Sequence, residues 1–165
     1  MKKTAQSAIA LGSNLGNSLA TLKAALEILD NNPDIAVKSI SSWYETAPLG
    51  PPQPDYINGC AILEVRLEPQ ALLETLLAIE LKFGRVRRER WGPRIIDLDL
   101  LLFDDLILET PTLELPHPRM RERAFVLVPL AEIAPHWIEP VTKKTITQLL
   151  ENIDTNGIKK TANLN

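Results

Sequence analysis

The residues best suited to chemistry lie in one stretch, where an arginine-rich segment runs into two aspartates. Residues 85–94 contain five arginines and a tryptophan, and Asp97 and Asp99 follow on a stretch whose alternating pattern predicts a strand. Strand side chains alternate between faces, so both carboxylates point the same way, roughly 6–7 Å apart along the backbone. One or two carboxylates, completed by phosphates and water, are the usual ligands of magnesium. The pattern therefore predicts magnesium and a nucleotide polyphosphate.

Each half of this pattern also has a plainer interpretation. Two acids can lie on the solvated face of an edge strand, although aspartate is depleted in strands and neighbouring like charges repel. An arginine run can be a solvated loop, but this one lies between a predicted helix end at Gly84 and the acidic strand. The planar guanidinium of arginine also suits paired hydrogen bonds to phosphate. We therefore favour the metal and phosphate interpretation.

A proline-rich loop provides a second candidate site. Residues 46–55 contain four prolines, and this loop is longer than an ordinary strand connection. Tyr56 and Asn58 follow on one face of the next predicted strand. An aromatic ring beside an amide can bind a flat heterocycle with hydrogen-bonding edges. His117, in a rigid polar loop, fits a ligand contact and a surface histidine equally well.

Other motifs have structural interpretations. Residues 12–16 lack the lysine of a P-loop, so we interpret them as a strand-to-helix turn capped by Ser13 or Asn14. With two histidines and one cysteine, the chain predicts neither a zinc site nor covalent catalysis. Cys60 lies in an apolar run and is expected to be a buried thiol.

Composition limits the class of protein. The 165 residues fit one domain, and 45% hydrophobic and 24% charged residues are typical of a globular protein. A net charge of -3 argues against a general nucleic-acid binder. The sequence has no signal-peptide pattern and no apolar run of membrane-spanning length. We expect a cytoplasmic protein that binds small molecules and neither nucleic acid nor membrane.

The elements that position these residues follow from hydrophobic periodicity. Leucines recurring every three or four residues from Leu15 to Leu29 predict a helix, and Pro69 begins another. The predicted order is a strand at 8–11, the first helix, strands at 35–45 and 56–67, a helix at 69–84, a strand at 95–103, and helices at 126–133 and 145–153. This β-α-β-β-α-β order is typical of a ferredoxin-like sandwich of the α+β class, here with C-terminal helical additions. We expect one domain over residues 1–165, with residues 155–165 as a frayed tail.

The central motif resembles that of a known family. Residues 90–101 (RWGPRIIDLDLL) are similar to the diagnostic motif of 6-hydroxymethyl-7,8-dihydropterin pyrophosphokinase, a family of folate biosynthesis. Residues 10–16, 46–56, 116–125 and 129–135 resemble further family segments in the same order, so the similarity covers about residues 8–137. The resemblance implies a monomeric enzyme that moves the β,γ-pyrophosphoryl group of ATP to the pterin hydroxymethyl and releases AMP.

The resemblance also implies roles for individual residues. Asp97 and Asp99 would be ligands of two magnesium ions bridging the ATP phosphates, and Arg85 and Arg94 would contact the transferred group. Nucleotide contacts would come from Glu80, Arg87, Arg90, Trp91, Leu100, His117 and Arg123, with Arg87, Arg90 and Trp91 on a loop closing over ATP. The pterin pocket would comprise Thr46, Leu49, Tyr56, Asn58, Trp91 and Phe125, with Tyr56 and Phe125 on either side of the ring. Leu77, Thr112 and Glu114 depart from the polar or basic nucleotide contacts of some members.

Two rival functions use the same residues. An ordinary γ-phosphoryl kinase or nucleotide hydrolase would need the same carboxylates but would release ADP. A ferredoxin-like RNA-binding module could use the arginine segment, but the acidic chain shows no aromatic RNA motif. The nucleotide product therefore distinguishes the three functions.

Overall fold

A computed structural model describes residues 3–14, 17–47, 52–84 and 95–161. Its first seven elements are β1 (Ala5–Ser13), α1 (Ser18–Asp30), β2 (Ile35–Ile40), β3 (Tyr44–Thr46), β4 (Tyr56–Val65), α2 (Pro69–Lys82) and β5 (Asp97–Phe103). This confirms the predicted order, except that the second predicted strand is divided into β2 and β3. Both pair with the same edge of β4, β2 along its second half and β3 along its first.

The C-terminal part adds short strands and two helices. They are β6 (Leu108–Glu109), β7 (Glu114–Leu115), α3 (Ala124–Ile133), β8 (Ile138–Glu139), β9 (Lys144–Thr145), α4 (Ile146–Glu151) and β10 (Lys159–Lys160). β10 pairs with β3, and the amide of Thr161 donates to the carbonyl of Trp43 at 2.9 Å. The prediction of a frayed tail from residue 155 is therefore wrong as far as Thr161. Among the described residues, no helix combines the length and apolarity needed to cross a bilayer.

The main sheet is antiparallel, and its strands follow the order β10-β3-β4-β1-β5, with β2 also paired to β4. This is the ferredoxin-like arrangement, in which the first and third strands of the motif lie at the centre. Between β2 and β3 the chain leaves the ladder, and the hydroxyl of Ser41 accepts the amide hydrogen of Cys60 at 2.9 Å. A Cβ atom at Gly59 would lie 2.6 Å from the ring of Trp43, so glycine leaves room for the indole over β4.

Helices cover both faces of the sheet, and each face has its own apolar core. Leucines of α1 and α2 pack with Ile9, Leu11, Leu98 and Leu100 on one face. On the other face, α3 and α4 pack over the small residues Ala8, Ala10 and Cys60. The small side chain of Cys60 lets α3 approach β4 closely. Cys60 is fully buried there, as the sequence predicted.

Helix α2 carries a buried acid, and the predicted cap of α1 was wrong. Leu77 of α2 is 45% exposed, whereas Glu80 is buried. Glu80 can occupy this inward position because its carboxylate accepts the amide hydrogen of Leu98 at 2.7 Å. The cap of α1 is Asn17, whose side chain accepts from the amide of Ala20, rather than Ser13 or Asn14.

Candidate active site

The two aspartates lie at the start of β5 on the face covered by α3. Asp97 pairs with Gly12 and Asp99 with Ala10, while Leu98 and Leu100 enter the core on the opposite face. The prediction that both carboxylates share one face is therefore confirmed. The side chain of Asp99 is 39% exposed and accessible to a ligand. Within the described part of the chain, no cluster of three or more acidic, histidine or cysteine side chains could hold a metal.

The row of residues that contains Asp97 continues across the sheet to Asn58. Gly12 pairs with Asp97 on one side and with Asn58 on the other, and cross-strand partners share a face. Two strand spacings place the aspartate and asparagine backbones about 10 Å apart. The side chain of Asn58 donates to the hydroxyl of Thr46 at 2.9 Å. The pair Thr46 and Tyr56 forms the next row on the same face.

Gly12 makes this row possible. A Cβ atom at this position would lie 2.8 Å from Oδ1 of Asn58, closer than real Cβ contacts. The asparagine side chain therefore lies in the space left by the glycine, with its amide nitrogen turned to Thr46. Asn58 is only 7% exposed, so neither its side chain nor the backbone of Gly12 can move far. Gly12 was predicted to lie in a turn, and the sequence carries no signal of its contact with Asn58.

The start of α3 brings a cation and an aromatic ring to the same face. The guanidinium carbon of Arg123 lies 5.6 Å from the centre of the Phe125 ring, within the range of a cation–π contact. One guanidinium nitrogen of Arg123 is also 3.9 Å from Oδ2 of Asp99. Phe125 is partly buried against the core beneath α3. Arg123 therefore lies between the acidic end of the site and its aromatic end.

His117 lies beside the same acidic residue. Its amide donates to the carbonyl of Leu101 at 2.9 Å, and its Nδ1 accepts from the amide of Arg119 at 3.2 Å. Burial lowers the pKa of His117; Asp99 acts in the opposite direction, and Arg123 and Arg119 lower it further. A neutral imidazole agrees with Nδ1 being an acceptor.

Two predicted nucleotide contacts lie in buried positions. The side chain of Leu100 is 3% exposed and packs in the core, so a contact with ATP would have to use its main chain. Glu80 is 5% exposed and bonded to the amide of Leu98, which fixes α2 against β5. The structure thus gives both residues a packing role.

Ser13 and Asn14, at the end of β1, hold two neighbouring segments in place. The Ser13 hydroxyl donates to the carbonyl of Ile95, just before β5. The side-chain amide of Asn14 donates to Oε1 of Gln53 at 2.7 Å and to the carbonyl of Pro54 at 2.9 Å. These bonds fix the end of the proline-rich loop and the approach to the aspartates, a role different from the helix cap that was predicted for Ser13 or Asn14.

Several predicted site residues lie outside the described residues. They are Leu49, Arg85, Arg87, Arg90, Trp91 and Arg94. Among the described ones, interatomic contacts connect Asp99 to Arg123, Arg123 to Phe125, and Asn58 to Thr46. The sheet register places these two groups on one face.

Comparison with known proteins identifies a family. Residues 8–135 match the family described as 7,8-dihydro-6-hydroxymethylpterin-pyrophosphokinase. The chain is 53% identical over 150 residues to a 2-amino-4-hydroxy-6-hydroxymethyldihydropteridine pyrophosphokinase of a Synechocystis species, covering 91% of this chain and 77% of the relative. A protein of the same name from Pseudomonas aeruginosa is 48% identical over 128 residues, covering 77% of this chain and 79% of the relative.

Solved structures share the fold. The crystal structure of Plasmodium falciparum HPPK-DHPS wild type with pteroate superposes with a TM-score of 0.74 at 15% sequence identity. The match covers 92% of this chain and 42% of that one, so this chain corresponds to less than half of the larger protein. At this identity, the likeness supports the ferredoxin-like fold and carries no residue roles.

Proposed function

The chain belongs to the 7,8-dihydro-6-hydroxymethylpterin-pyrophosphokinase family, and we propose that it performs the family reaction with magnesium held at Asp97 and Asp99. It is an ATP-dependent pyrophosphokinase of folate biosynthesis that transfers a pyrophosphoryl group to hydroxymethyldihydropterin. The proposal concerns the metal, the residues that bind each substrate, and the way in which the site aligns them.

One observation carries the proposal: the two carboxylates and Asn58 lie on one face of the sheet, on either side of Gly12. An acidic end suits a metal-bound polyphosphate, and an amide beside Tyr56 suits a flat heterocycle. A separation of about 10 Å leaves space for the reacting groups between them. The site can therefore hold donor and acceptor side by side.

The donor set fits magnesium better than zinc. Two carboxylates at the edge of a sheet leave most coordination positions to phosphate oxygens and water, which is how magnesium is usually bound. When bound, magnesium would neutralise phosphate charge and polarise the phosphoryl oxygens. We propose two ions, with Asp97 and Asp99 as their protein ligands. Arg123, 3.9 Å from Asp99, is placed to contact a phosphate beside them.

The acceptor pocket lies at the other end of the row, at Asn58. We propose that Asn58 and Thr46 bind the edge of the pterin, and that Tyr56 and Phe125 lie on its two sides. Leu49 and Trp91 would complete the pocket. Because pyrophosphoryl transfer depends on alignment and charge stabilisation, these residues contribute by orienting the hydroxymethyl group.

The remaining arginines and nucleotide contacts complete the proposal. Arg85 and Arg94 would stabilise charge on the transferred group, and Arg87 and Arg90 would close over ATP. His117 and the main chain of Leu100 would contact the nucleotide. Glu80 would contribute a nucleotide contact at the same end of the site. A monomeric state remains a prediction, which size-exclusion chromatography with light scattering tests.

Product analysis tests the proposal. The protein is incubated with ATP, magnesium and hydroxymethyldihydropterin, and the nucleotides are separated by chromatography. Pterin-dependent AMP supports pyrophosphoryl transfer, whereas ADP would indicate an ordinary kinase or hydrolase. Asp97→Ala and Asp99→Ala should each nearly abolish turnover. Wild-type turnover in either variant would remove the metal assignment.

A further inference from the structure

The strongest feature outside the substrate-contacting residues is a cluster of hydrogen bonds that joins α3 to the break between β2 and β3. Both carboxylate oxygens of Glu132, near the end of α3, accept the amide hydrogen of Ser42 at 3.1 Å. The Ser42 hydroxyl donates to Oε2 at 2.9 Å, and the Tyr44 hydroxyl donates to Oε1 at 2.6 Å. We call the three residues Ser42, Tyr44 and Glu132 the α3–β3 clamp.

The two ends of the clamp are connected to the two walls of the acceptor pocket. Tyr44 pairs directly with Asn58 in the sheet, and Thr46, two residues further along β3, accepts a hydrogen bond from Asn58. Glu132 follows Phe125 by seven residues in α3, two helical turns, so both lie on the same side of the helix. The clamp therefore bridges the helix carrying Phe125 and the strand carrying Thr46.

Helix α3 depends on such contacts for its position. Pro129 lies inside the helix and lacks the amide hydrogen that would bond to the Phe125 carbonyl. The first turn, which carries the aromatic ring, is thus less constrained by helical hydrogen bonds alone. β3 is only three residues long, so its ladder with β4 is also short. Both elements gain a fixed spacing from the clamp.

The ionisation states favour strong hydrogen bonds in the clamp. Burial, followed by the hydrogen bond to Glu132, raises the pKa of Tyr44 above its usual value. Burial tends to raise the pKa of Glu132, but hydrogen bonds from Tyr44 and Ser42 outweigh it, so the pKa is lowered. A neutral phenol and an ionised carboxylate form a charge-assisted bond, about twice as strong as a neutral one.

We propose that Glu132 and Tyr44 are positioning residues for the acceptor, which set the distance between Phe125 and the Thr46–Asn58 pair. The inference rests on the acceptor pocket proposed above. None of the three clamp residues is among the proposed substrate contacts, so the clamp acts through the pocket walls. Loosening it widens the pocket and weakens pterin binding, whereas the nucleotide end is affected less, because it is built mainly on β5 and only Arg123 comes from the start of α3.

The test compares Tyr44→Phe and Glu132→Gln with the matched control Glu151→Gln, an exposed acid on α4. Steady-state kinetics give KM for pterin and for ATP, and urea unfolding gives stability. We expect pterin KM to rise about tenfold in Tyr44→Phe and Glu132→Gln, with ATP KM within about twofold of wild type. The control should match wild type in both.

A double variant separates positioning from general loosening. Because the Tyr44 hydroxyl acts through its hydrogen bond to the Glu132 carboxylate, Tyr44→Phe added to Glu132→Gln should raise pterin KM little beyond Glu132→Gln alone. Equal rises in both KM values, or loss of stability with unchanged pterin KM, would overturn the proposal. If Glu132→Gln does not fold, Tyr44→Phe, which removes one oxygen atom, decides the question. Wild-type protein that binds no pterin would instead refute the acceptor pocket itself.

Discussion

Replacing Gly12 by alanine tests whether the row from Asp97 to Asn58 is the acceptor site. The new Cβ would lie 2.8 Å from Oδ1 of Asn58, and ordinary van der Waals contact begins at 3.4 Å. The asparagine side chain must therefore shift by about 0.6 Å or rotate. Either change strains its hydrogen bond to Thr46, now 2.9 Å long.

The expected loss can be worked out from that hydrogen bond. A neutral hydrogen bond contributes about 1 kcal/mol, so pterin affinity should fall about fivefold. Two opposing contributions decide the change in stability. Overpacking costs about 1–3 kcal/mol, and alanine regains about 0.5–1 kcal/mol because glycine loses more conformational entropy in a strand. The free energy of unfolding should therefore fall by about 1 kcal/mol. ATP affinity should stay close to wild type.

Fluorescence titration with pterin and calorimetric titration with an unreactive ATP analogue measure the two affinities separately. The matched background is Asn58→Ala, in which the clash is absent. There, Gly12→Ala should cause no further loss of pterin affinity. Unchanged pterin affinity in Gly12→Ala alone, or an equal loss of ATP affinity, would refute the reasoning.

Three further predictions concern ionisable groups that are buried or partly buried. The carboxylate of Glu139 is fully buried and bonded to Arg121, so Arg121→Met should lower the free energy of unfolding by about 3 kcal/mol in urea denaturation; a loss below about 1 kcal/mol would contradict this. Burial raises the pKa of Cys60, so at about pH 8.5, where a free thiol is half ionised, a thiol reagent should react with it only after unfolding. Rapid reaction with the folded protein would show that the site is open. Burial lowers the pKa of His117, so its neutral form stabilises the fold above about pH 6.5, and this contribution is lost as the pH falls through the lower folded value. Stability of the wild type should fall more steeply with acid than that of His117→Gln, and equal slopes would contradict the shift.

Local patterns were sufficient to predict the fold and the acidic pair. Alternation along residues 95–103 placed Asp97 and Asp99 on one face, because strand side chains have a period of two whatever the partner strand is. Leucine spacing from Leu15 to Leu29 predicted α1, which ends at Asp30, one residue after the last of these leucines. These features depend only on neighbours in the sequence.

Features that depend on distant contacts were not predicted. The break between β2 and β3 depends on Ser41 bonding to Cys60 and on the space that Gly59 leaves for Trp43. β10 forms by pairing with the edge of β3. It was not predicted because the polar composition of the tail gives no strand signal. Such pairings depend on contacts between residues far apart in the sequence, and a local pattern does not specify which segments meet.

The candidate site was also predicted only in part, because some of its features depend on distant contacts. Residue types indicated metal, phosphate and heterocycle binding, but Gly12 and Glu132 gained their significance only from the folded register. Glu132 was part of a motif quoted for its resemblance to the family, without a role of its own. Its contacts with Ser42 and Tyr44 join residues about ninety positions apart in the sequence.

Metal binding tests most directly whether Asp97 and Asp99 hold the divalent cations that accompany ATP. Manganese can replace magnesium as a paramagnetic probe, and its binding to the protein with an unreactive ATP analogue can be followed by electron paramagnetic resonance. Wild-type protein and the control Asp105→Asn, an exposed acid in the turn after β5, should bind two ions per complex. Asp97→Asn and Asp99→Asn should each weaken manganese binding by about tenfold or more. Wild-type manganese binding in the Asp97→Asn and Asp99→Asn double variant would contradict the account.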